Sequence, residues 1–195
     1  MTRAAAMMSN STSPFVAVTL ANRDLVVSDR HGLGLAVVLA SRSQIPMLAG
    51  RMRGQLGLDL PTCPQRAIAG KIAFATTGPG AWLVTHEGGG KALVSALRPV
   101  IQGLAAMTDQ TGAYGVLRLS GLRVRDLLCR LVPLDLHPRA FEIGNVATTV
   151  SGHVGATVWR LADSDAGAPV FEIAVYRSFA GYFWRLLCQS AAALS

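Results

Sequence analysis

The residue types that carry out enzyme chemistry are few in this chain, and their spacing matches no catalytic or metal-binding motif. No Gly-x-Ser-x-Gly serine elbow is present, and the glycine-rich turns at 78–80 and 88–90 complete neither a dinucleotide fingerprint nor a phosphate loop. The four histidines have no zinc-site spacing, so we expect them at surface or partner positions: His31, His86, His137 and His153.

The three cysteines are widely separated and form no Cys-x-x-Cys pair, so neither a disulfide framework nor a zinc site is indicated. We expect Cys129 and Cys188 to pack as small apolar residues on helices. Cys63, in a proline-rich loop, is expected to be the exposed thiol. Unpaired cysteines fit a reducing compartment, so the expected location is cytoplasmic.

Carboxylates are also scarce, with eleven Asp and Glu in 195 residues. Four of them lie close in sequence, but no pair is predicted to share a face: Asp109, Asp126, Asp135 and Glu142. An active site needs convergent polar groups. The sequence therefore predicts no catalytic, cofactor-binding or metal-binding residue in this chain and favours a non-catalytic subunit.

The chain is basic, with a net charge of +7 that comes from 16 arginines and only 2 lysines. These residues are spread from Arg3 to Arg185 without a consecutive basic run, whereas a nucleic-acid site concentrates its charge on one face. Arginine is also the preferred basic residue of protein interfaces. We therefore expect an acidic protein partner and no nucleic acid, and a basic RNA-binding module stays as a rival.

No membrane association is expected. The longest apolar run, 33–40, is far shorter than the ~20 residues that cross a bilayer. Residues 1–14 are small and polar and lack the apolar core of a secretory signal. They are predicted to form a disordered arm.

The remaining chain predicts an α+β protein with two ferredoxin-like lobes, at 15–110 and 111–195. In the first lobe, Pro46 suits the start of a helix over 44–56, and Pro99 is expected to kink or split the next helix. In the second lobe, Ser120 and Ser178 are expected to cap helices, with Phe179 buried. Predicted strands lie at 15–21, 24–28, 33–41, 72–76, 81–85, 104–108, 115–119, 146–150, 154–161 and 170–176.

The loop at 133–141 is the strongest candidate for a partner contact. Its two prolines stiffen both ends, and apolar residues alternate with polar ones. We expect Leu134, Leu136 and Phe141 to anchor it on a partner, while Asp135, His137 and Arg139 make polar contacts. Arg177, in a turn between a strand and a helix, is a further candidate interface residue.

The run PLDLHPRAF at 133–141 resembles the gamma subunit of heterotetrameric sarcosine oxidase. Four other segments share the resemblance, which extends from about residue 74 to the C-terminus: 109–111, 117–121, 177–180 and 183–184. Val132, Tyr176 and Thr111 depart from the residues usual in that family. These departures are conservative for a scaffold.

The resemblance implies a fold like the tetrahydrofolate-binding T-protein of glycine cleavage. It implies a cytoplasmic complex with alpha, beta and delta subunits that oxidises sarcosine to glycine and hydrogen peroxide and passes the one-carbon unit to tetrahydrofolate. FAD, FMN, NAD and zinc are expected in that complex, mainly in the other chains. The loop at 133–141 would then lie against the large flavin-bearing subunit.

Two alternatives stay open. One is a free-standing folate-binding or aminomethyltransferase-like module, in which Asp109 or Glu142 would bind the pterin ring. The other is the equivalent subunit of an oxidase that demethylates a different N-methyl amino acid. The sequence does not identify the N-methyl substrate, because the substrate pocket is expected in the flavin-bearing chain.

Overall fold

The computed structural model of the protein describes residues 14, 15, 19–22 and 24–194. The predicted disordered arm lies outside these residues, except for Pro14. Within them, the α-helices are α1 (Ile45–Leu56), α2 (Gly89–Ile101), α3 (Val124–Leu131) and α4 (Ala180–Ala192). A short 3-10 turn at Arg177–Phe179 precedes α4.

The strands of the described residues form two antiparallel sheets. In chain order they are β1 (Thr19–Asn22), β2 (Leu25–Asp29), β3 (Gly34–Leu39), β4 (Arg66–Ala69), β5 (Ile72–Gly78), β6 (Ala81–His86), β7 (Ala106–Asp109), β8 (Tyr114–Ser120), β9 (Val146–Ser151), β10 (Val154–Leu161) and β11 (Val170–Tyr176). The first sheet has the order β4-β5-β6-β3-β7 and the second has the order β1-β2-β8-β11-β10-β9.

The first sheet confirms the predicted ferredoxin-like arrangement. Its strands β3, β5, β6 and β7 alternate with α1 and α2 in the predicted β-α-β-β-α-β order. β4, which was not predicted, extends the sheet beside β5. Its four residues contain one large apolar side chain, Ile68, so the sequence carries little strand signal there.

The second sheet includes β2, a strand from near the N-terminus, beside strands from the C-terminal half of the chain. β2 pairs with β8 in antiparallel register, with Val27 opposite Leu119. The division of the chain at residue 110 stays a prediction, but β1 and β2, which precede that boundary, belong to the second sheet. Strand pairing of this kind depends on contacts distant in sequence, which local patterns do not reveal.

The two sheets face each other, and each carries two helices on its outer side. α1 and α2 cover the first sheet with residues such as Leu48 and Leu97. α3 and α4 cover the second with residues such as Leu128 and Phe183. A third apolar cluster lies between the sheets and includes Leu83 and Trp159. The result is a helix–sheet–sheet–helix arrangement that buries both faces of each sheet.

Helix starts and ends differ from the predictions at several points. α2 continues through Pro99 to Ile101, so this proline does not divide the helix. Ser120 ends β8 and does not cap α3, which starts three residues beyond Gly121. Ser178 makes no capping bond to α4, and Phe179 is 48% exposed instead of buried. These residues belong to a strand end and a 3-10 turn, where a side chain cannot reach the first free amides of the helix.

Candidate functional site

The apolar side of the loop at 133–141 faces its own lobe. Leu136 and Phe141 are buried in the core beneath α3, and Leu134 packs against the same cluster. Phe141 stacks on Phe171 of β11, with 6.2 Å between ring centroids. Leu136 and Phe141 therefore pack within this chain instead of presenting their side chains to a partner, whereas a partner contact of Leu134 stays a prediction. Burial within the chain stabilises the loop, because it removes apolar area from water.

Two arginines hold the loop in this position. Arg125 Nε donates to the carbonyl oxygen of Leu136 at 3.0 Å. Arg160 Nη1 donates to the carbonyl oxygen of Phe141 at 3.1 Å, and its Nη2 donates to Asp163. Burial lowers the pKa of the Arg125 guanidinium, and the nearby Arg160 adds to this effect. These charge-assisted bonds brace the loop on its own lobe.

The polar residues of the loop remain on the surface. Asp135, His137 and Arg139 are all exposed. The Asp135 carboxylate accepts a bond from the backbone N–H of His137 at 2.9 Å, and His137 Nδ1 accepts one from the backbone N–H of Arg139 at 3.3 Å. These local bonds shape the backbone, as in an Asx turn. The three side chains stay predicted contact residues.

Arg177 does not lie beside this loop. The loop contacts Phe171 near the start of β11, whereas Arg177 follows Tyr176 at the end of the strand. The six-residue separation corresponds to roughly 20 Å of strand. The backbone N–H of Arg177 donates to the carbonyl oxygen of Ala113 at 2.8 Å. The candidate interface residues therefore form two separate places on the surface.

A cluster of charged side chains around a buried glutamate lies between the sheets, and it was not predicted from the sequence. Glu172 of β11 is only 2% exposed. Its Oε1 accepts from Arg118 Nε at 2.9 Å, and its Oε2 accepts from Trp159 Nε1 at 2.8 Å. Register places these three residues side by side on β8, β11 and β10. A glutamate within the otherwise uncharged strand VFEIAVY was the signal that could have revealed this cluster.

Arg30, directly after β2, connects this cluster to the first sheet. Its Nε lies 2.8 Å from Glu172 Oε1. Its Nη2 donates to both carboxylate oxygens of Glu87, which follows β6, at 2.5 and 2.7 Å. Burial opposes the charge on Arg30, but Glu172 and Glu87 outweigh it and raise the pKa. We call Arg30, Glu87, Arg118, Trp159 and Glu172 the intersheet cluster. It ties the two sheets together through paired charges.

Grooves surround the β5–β6 turn at the opposite end of the sheets from Arg30. One cavity of about 450 Å³ lies between this turn and β9 and is lined by Thr62, Pro64, Thr76, Thr77, Gly78, Pro79, Val146, Ala147 and Thr148. A neighbouring cavity of about 310 Å³ shares Thr77 and Thr148 with it. No ionisable group other than tyrosine lines either cavity. They suit uncharged occupants.

Asp109 and Glu142, the candidates for binding a pterin ring, line neither of these cavities. Asp109 Oδ1 accepts a bond from the backbone N–H of Thr111 at 2.9 Å. Glu142 is exposed on the loop that precedes β9. Asp109 lies in the first sheet and Glu142 beside the second, so the structure does not bring them into one site.

The histidines and cysteines are partly placed as expected. Cys63, His31 and His153 are exposed, and His153 has a positive φ in the β9–β10 turn. His86, predicted at the surface, is buried and accepts a bond from the backbone N–H of Gly88 at 2.7 Å. Cys129, predicted to be packed, is exposed because the apolar stripe of α3 faces the other way.

Residues 14, 15, 19–22 and 24–194 contain no group of three or more His, Cys, Asp or Glu arranged to hold a metal ion. Within the same part of the chain, no helix has the length and apolar character that crossing a membrane requires.

Comparison with known families shows that the chain matches a family of oxidase subunits. The model of the sarcosine oxidase gamma subunit family (SoxG) matches residues 41–193. This is well over half of the chain, so the protein belongs to the sarcosine oxidase gamma subunit family. No curated protein sequence matches it.

Two solved structures have a similar fold. In heterotetrameric sarcosine oxidase from Corynebacterium sp. U-96, solved with pyrrole 2-carboxylate, one chain superposes with a TM-score of 0.75 and 21% identity, covering 90% of this chain and 88% of that one. Aminomethyltransferase T of the glycine cleavage system from Bartonella henselae gives a TM-score of 0.62 and 13% identity, with 84% of this chain and 45% of that one covered. This chain therefore spans about half the length of the aminomethyltransferase.

Proposed function

We propose that the protein is the gamma subunit of a heterotetrameric sarcosine oxidase and acts there as a structural, non-catalytic chain. The family match over residues 41–193 carries this proposal. The similarity to a chain of a heterotetrameric sarcosine oxidase over nearly the full length of both chains supports it. The proposed partners are the alpha, beta and delta subunits.

The proposed complex works in the cytoplasm and oxidises the N-methyl group of sarcosine. Oxygen accepts the two electrons and becomes hydrogen peroxide, and hydrolysis of the resulting imine releases glycine and formaldehyde. When tetrahydrofolate is present, the one-carbon unit leaves as 5,10-methylenetetrahydrofolate. We assign FAD, FMN, NAD and zinc to the other chains. The resemblance leaves open whether another N-methyl amino acid replaces sarcosine.

The structural role is supported by the way this chain uses its buried charges. The carboxylate of Glu172 is engaged by Arg30, Arg118 and Trp159. Both oxygens of this carboxylate are therefore already occupied by contacts within the chain. The intersheet cluster therefore connects the two sheets, and this use of buried charge fits a structural role.

Purification of the chain alone and with the other subunits tests this proposal. We expect a stable complex only when the chain is expressed with the products of the neighbouring open reading frames. That complex should produce hydrogen peroxide when sarcosine is added. The isolated chain should show neither sarcosine oxidation nor stoichiometric flavin. Flavin or oxidase activity in the isolated chain would contradict the non-catalytic role.

A second candidate function is supported by the fold of aminomethyltransferase T and by the uncharged cavities beside β9. In this case the chain binds folate by itself. Calorimetric titration of the isolated chain with tetrahydrofolate separates the two functions. Stoichiometric binding favours the folate module, whereas the gamma-subunit proposal expects no heat of binding from the isolated chain.

The polar residues of the loop at 133–141 are proposed to contact the large flavin-bearing subunit. Asp135, His137 and Arg139 are exposed, and Arg125 and Arg160 hold the loop rigid beneath them. A rigid loop loses little conformational entropy on docking. Arg177 is proposed as a separate contact at the other end of β11. Phe141 is buried within the lobe and is left out of this interface.

A further inference from the structure

β9 is the last strand of the second sheet, and most of its outer edge is open. It pairs with β10 on one side only. On the other side, the backbone N–H of Val146 donates to the carbonyl oxygen of Pro64 at 2.9 Å, and Gln65 forms an isolated bridge with Asn145. Toward Thr148 this contact ends at Pro64, and no backbone bond among the described residues continues it.

The backbone groups beyond this contact point outward at alternate residues. Asn145 faces β10, because its carbonyl oxygen accepts a bond from Arg160 N–H at 3.0 Å. Antiparallel pairing alternates from residue to residue, so Ala147 and Thr149 also face β10. The N–H and C=O groups of Thr148 and Val150 consequently face outward. Among the described residues, no backbone group bonds to them.

The side chains of these two residues continue the inner face of the sheet. Thr148 and Val150 lie on the same face as Val146, which is part of the cluster between the sheets. Both are exposed, and Val150 reaches 54% exposure. A strand added outside β9 would therefore direct alternate side chains toward the cavity of about 450 Å³.

The character of this cavity defines the chemistry of its occupant. No ionisable side chain is present among its lining residues, although the whole chain carries 18 basic and 11 acidic residues. A charged side chain in this partly open cavity would gain no ionic partner from the lining residues. The cavity is lined by threonine, proline and glycine among others, and such a lining favours an occupant with an apolar or small uncharged side chain.

We propose that the free edge of β9 receives an extended, uncharged segment of a partner subunit as an additional strand. Thr148 and Val150 supply the backbone hydrogen bonds, and a side chain of the segment fills the cavity beside the β5–β6 turn. This is strand addition to an exposed sheet edge. The inference rests on the proposed function, because it takes its partner from the heterotetrameric complex.

Hydrogen exchange of individual backbone amides in the free chain and in the assembled complex tests the inference. We expect assembly to slow exchange at Thr148 and Val150 by at least about tenfold, because a buried hydrogen bond must open before exchange occurs. The amides of Ala147 and Thr149, which face β10, provide an internal control and should be protected in both states.

A pair of variants at Thr148 provides the matched test. Thr148→Pro removes the outward N–H and leaves the β9–β10 bonds intact, whereas Thr148→Val keeps the N–H and the shape of the side chain. We expect the proline variant to weaken assembly by at least about tenfold and the valine variant to assemble normally. Circular dichroism and thermal unfolding of both isolated variants check that each is folded.

The possible outcomes separate the two proposals. A complex in which Thr148 and Val150 exchange as fast as in the free chain overturns the inference alone. Protection that is already present in the isolated chain also overturns it, because the chain itself then covers the edge. If no complex forms with any combination of subunits, the proposed function fails, and the inference fails with it.

Discussion

The two sheets of the molecule are built to the same plan and differ at one end. The two sheets can be compared strand by strand, starting at β4 in the first and at β9 in the second. The first sheet has the order β4, β5, β6, β3 and β7, and the corresponding strands of the second are β9, β10, β11, β8 and β2. In the first sheet, the last place is taken by β7, which directly follows α2. In the second, the corresponding place is taken by β2, which lies near the start of the chain and is followed at the edge by β1. The second half therefore needs the N-terminal segment to complete its sheet.

The surfaces with which the sheets face each other also differ. The second sheet contributes Arg118, Glu172 and Trp159. The first contributes the apolar residues Leu35 and Leu83 at the same interface. Arg30 connects the paired charges of the second sheet to Glu87 of the first. Arg66 of β4, also in the first sheet, interacts electrostatically with Glu172 and Glu87. The comparison shows that one topology can be stabilised both by apolar contact and by paired charges.

Removing β1 and β2 is expected to have the largest effect on this arrangement. A chain that begins at Asp29 loses Phe15, Leu25 and Val27 from the core and exposes the edge of β8. At about 1.5–3 kcal/mol for each large apolar side chain, the loss is comparable to the total stability of a typical domain. We expect no cooperative unfolding transition by circular dichroism.

A chain that begins at Pro14 is the control for this truncation and should unfold cooperatively. If the chain that begins at Asp29 also unfolds cooperatively with a native-like transition, the second sheet does not depend on β2, and the comparison of the two sheets is misleading.

The second prediction concerns the charges between the sheets. Glu172→Ala leaves Arg118, whose side chain is 38% exposed, and part of Arg30 without a counterion. The free energy of unfolding should fall by about 3 kcal/mol, at the lower end of the effect of removing one partner from a buried ion pair, because water reaches both arginines. Urea denaturation measures this change. Glu142→Ala, at an exposed loop position, should change it by less than about 0.5 kcal/mol.

Equal effects of these two substitutions would show that the intersheet cluster contributes little. A double-mutant cycle with Arg118→Ala provides a sharper check, because residues in direct contact should be coupled by about 0.5–3 kcal/mol.

The third prediction separates the two roles of the loop at 133–141. Arg125→Ala removes the bond to the Leu136 carbonyl and should lower the free energy of unfolding by about 1.5 kcal/mol. Arg139→Ala should leave the stability of the isolated chain within about 0.5 kcal/mol. It should weaken assembly by about 2–4 kcal/mol, as truncation of a buried charged contact does.

Thermal unfolding of the isolated variants and titration of the other subunits provide these values. If Arg139→Ala clearly lowers the stability of the isolated chain and assembly is normal, Arg139 stabilises the loop on its own lobe, and the predicted partner contact is wrong.

The smallest expected effect concerns Tyr114, where the sheets diverge. Burial raises the pKa of Tyr114, and a bond to the stacked Tyr176 adds to the shift. The unfolded chain ionises near pH 10. Tyr114 therefore contributes stability that is present below about pH 10 and declines as the pH rises further. Absorbance titration at alkaline pH should show a tyrosine that ionises late and is missing from Tyr114→Phe. An identical titration curve for that variant would contradict the shift.

Local patterns predicted most of the elements, because each is recognisable from its own residues. The stripe of Val124, Leu127, Leu128 and Leu131 defines α3, and all four are buried as expected. The hairpin of β5 and β6 follows from the Gly78-Pro79-Gly80 turn between two apolar runs. Family membership was accessible for the same reason, since the resemblance rests on short contiguous motifs.

Local sequence patterns could not predict which surfaces of the folded chain contact each other. Leu136 and Phe141 have the composition of a docking loop, but their own lobe offers an apolar surface at no cost in association entropy, so they fold inward. The pairing of Glu172 with Arg30 and Arg118 joins residues more than fifty positions apart.

The α+β class, the order of most helices and strands, and the family are readable from the amino-acid sequence alone. The completion of the second sheet by β2, the position of the charges between the sheets and the open edge of β9 arise only when the whole chain packs. The two sets of features differ in the range of the interactions that produce them. Helix and hairpin signals are carried by residues a few positions apart, whereas strand order and buried ion pairs depend on the packing of the whole chain.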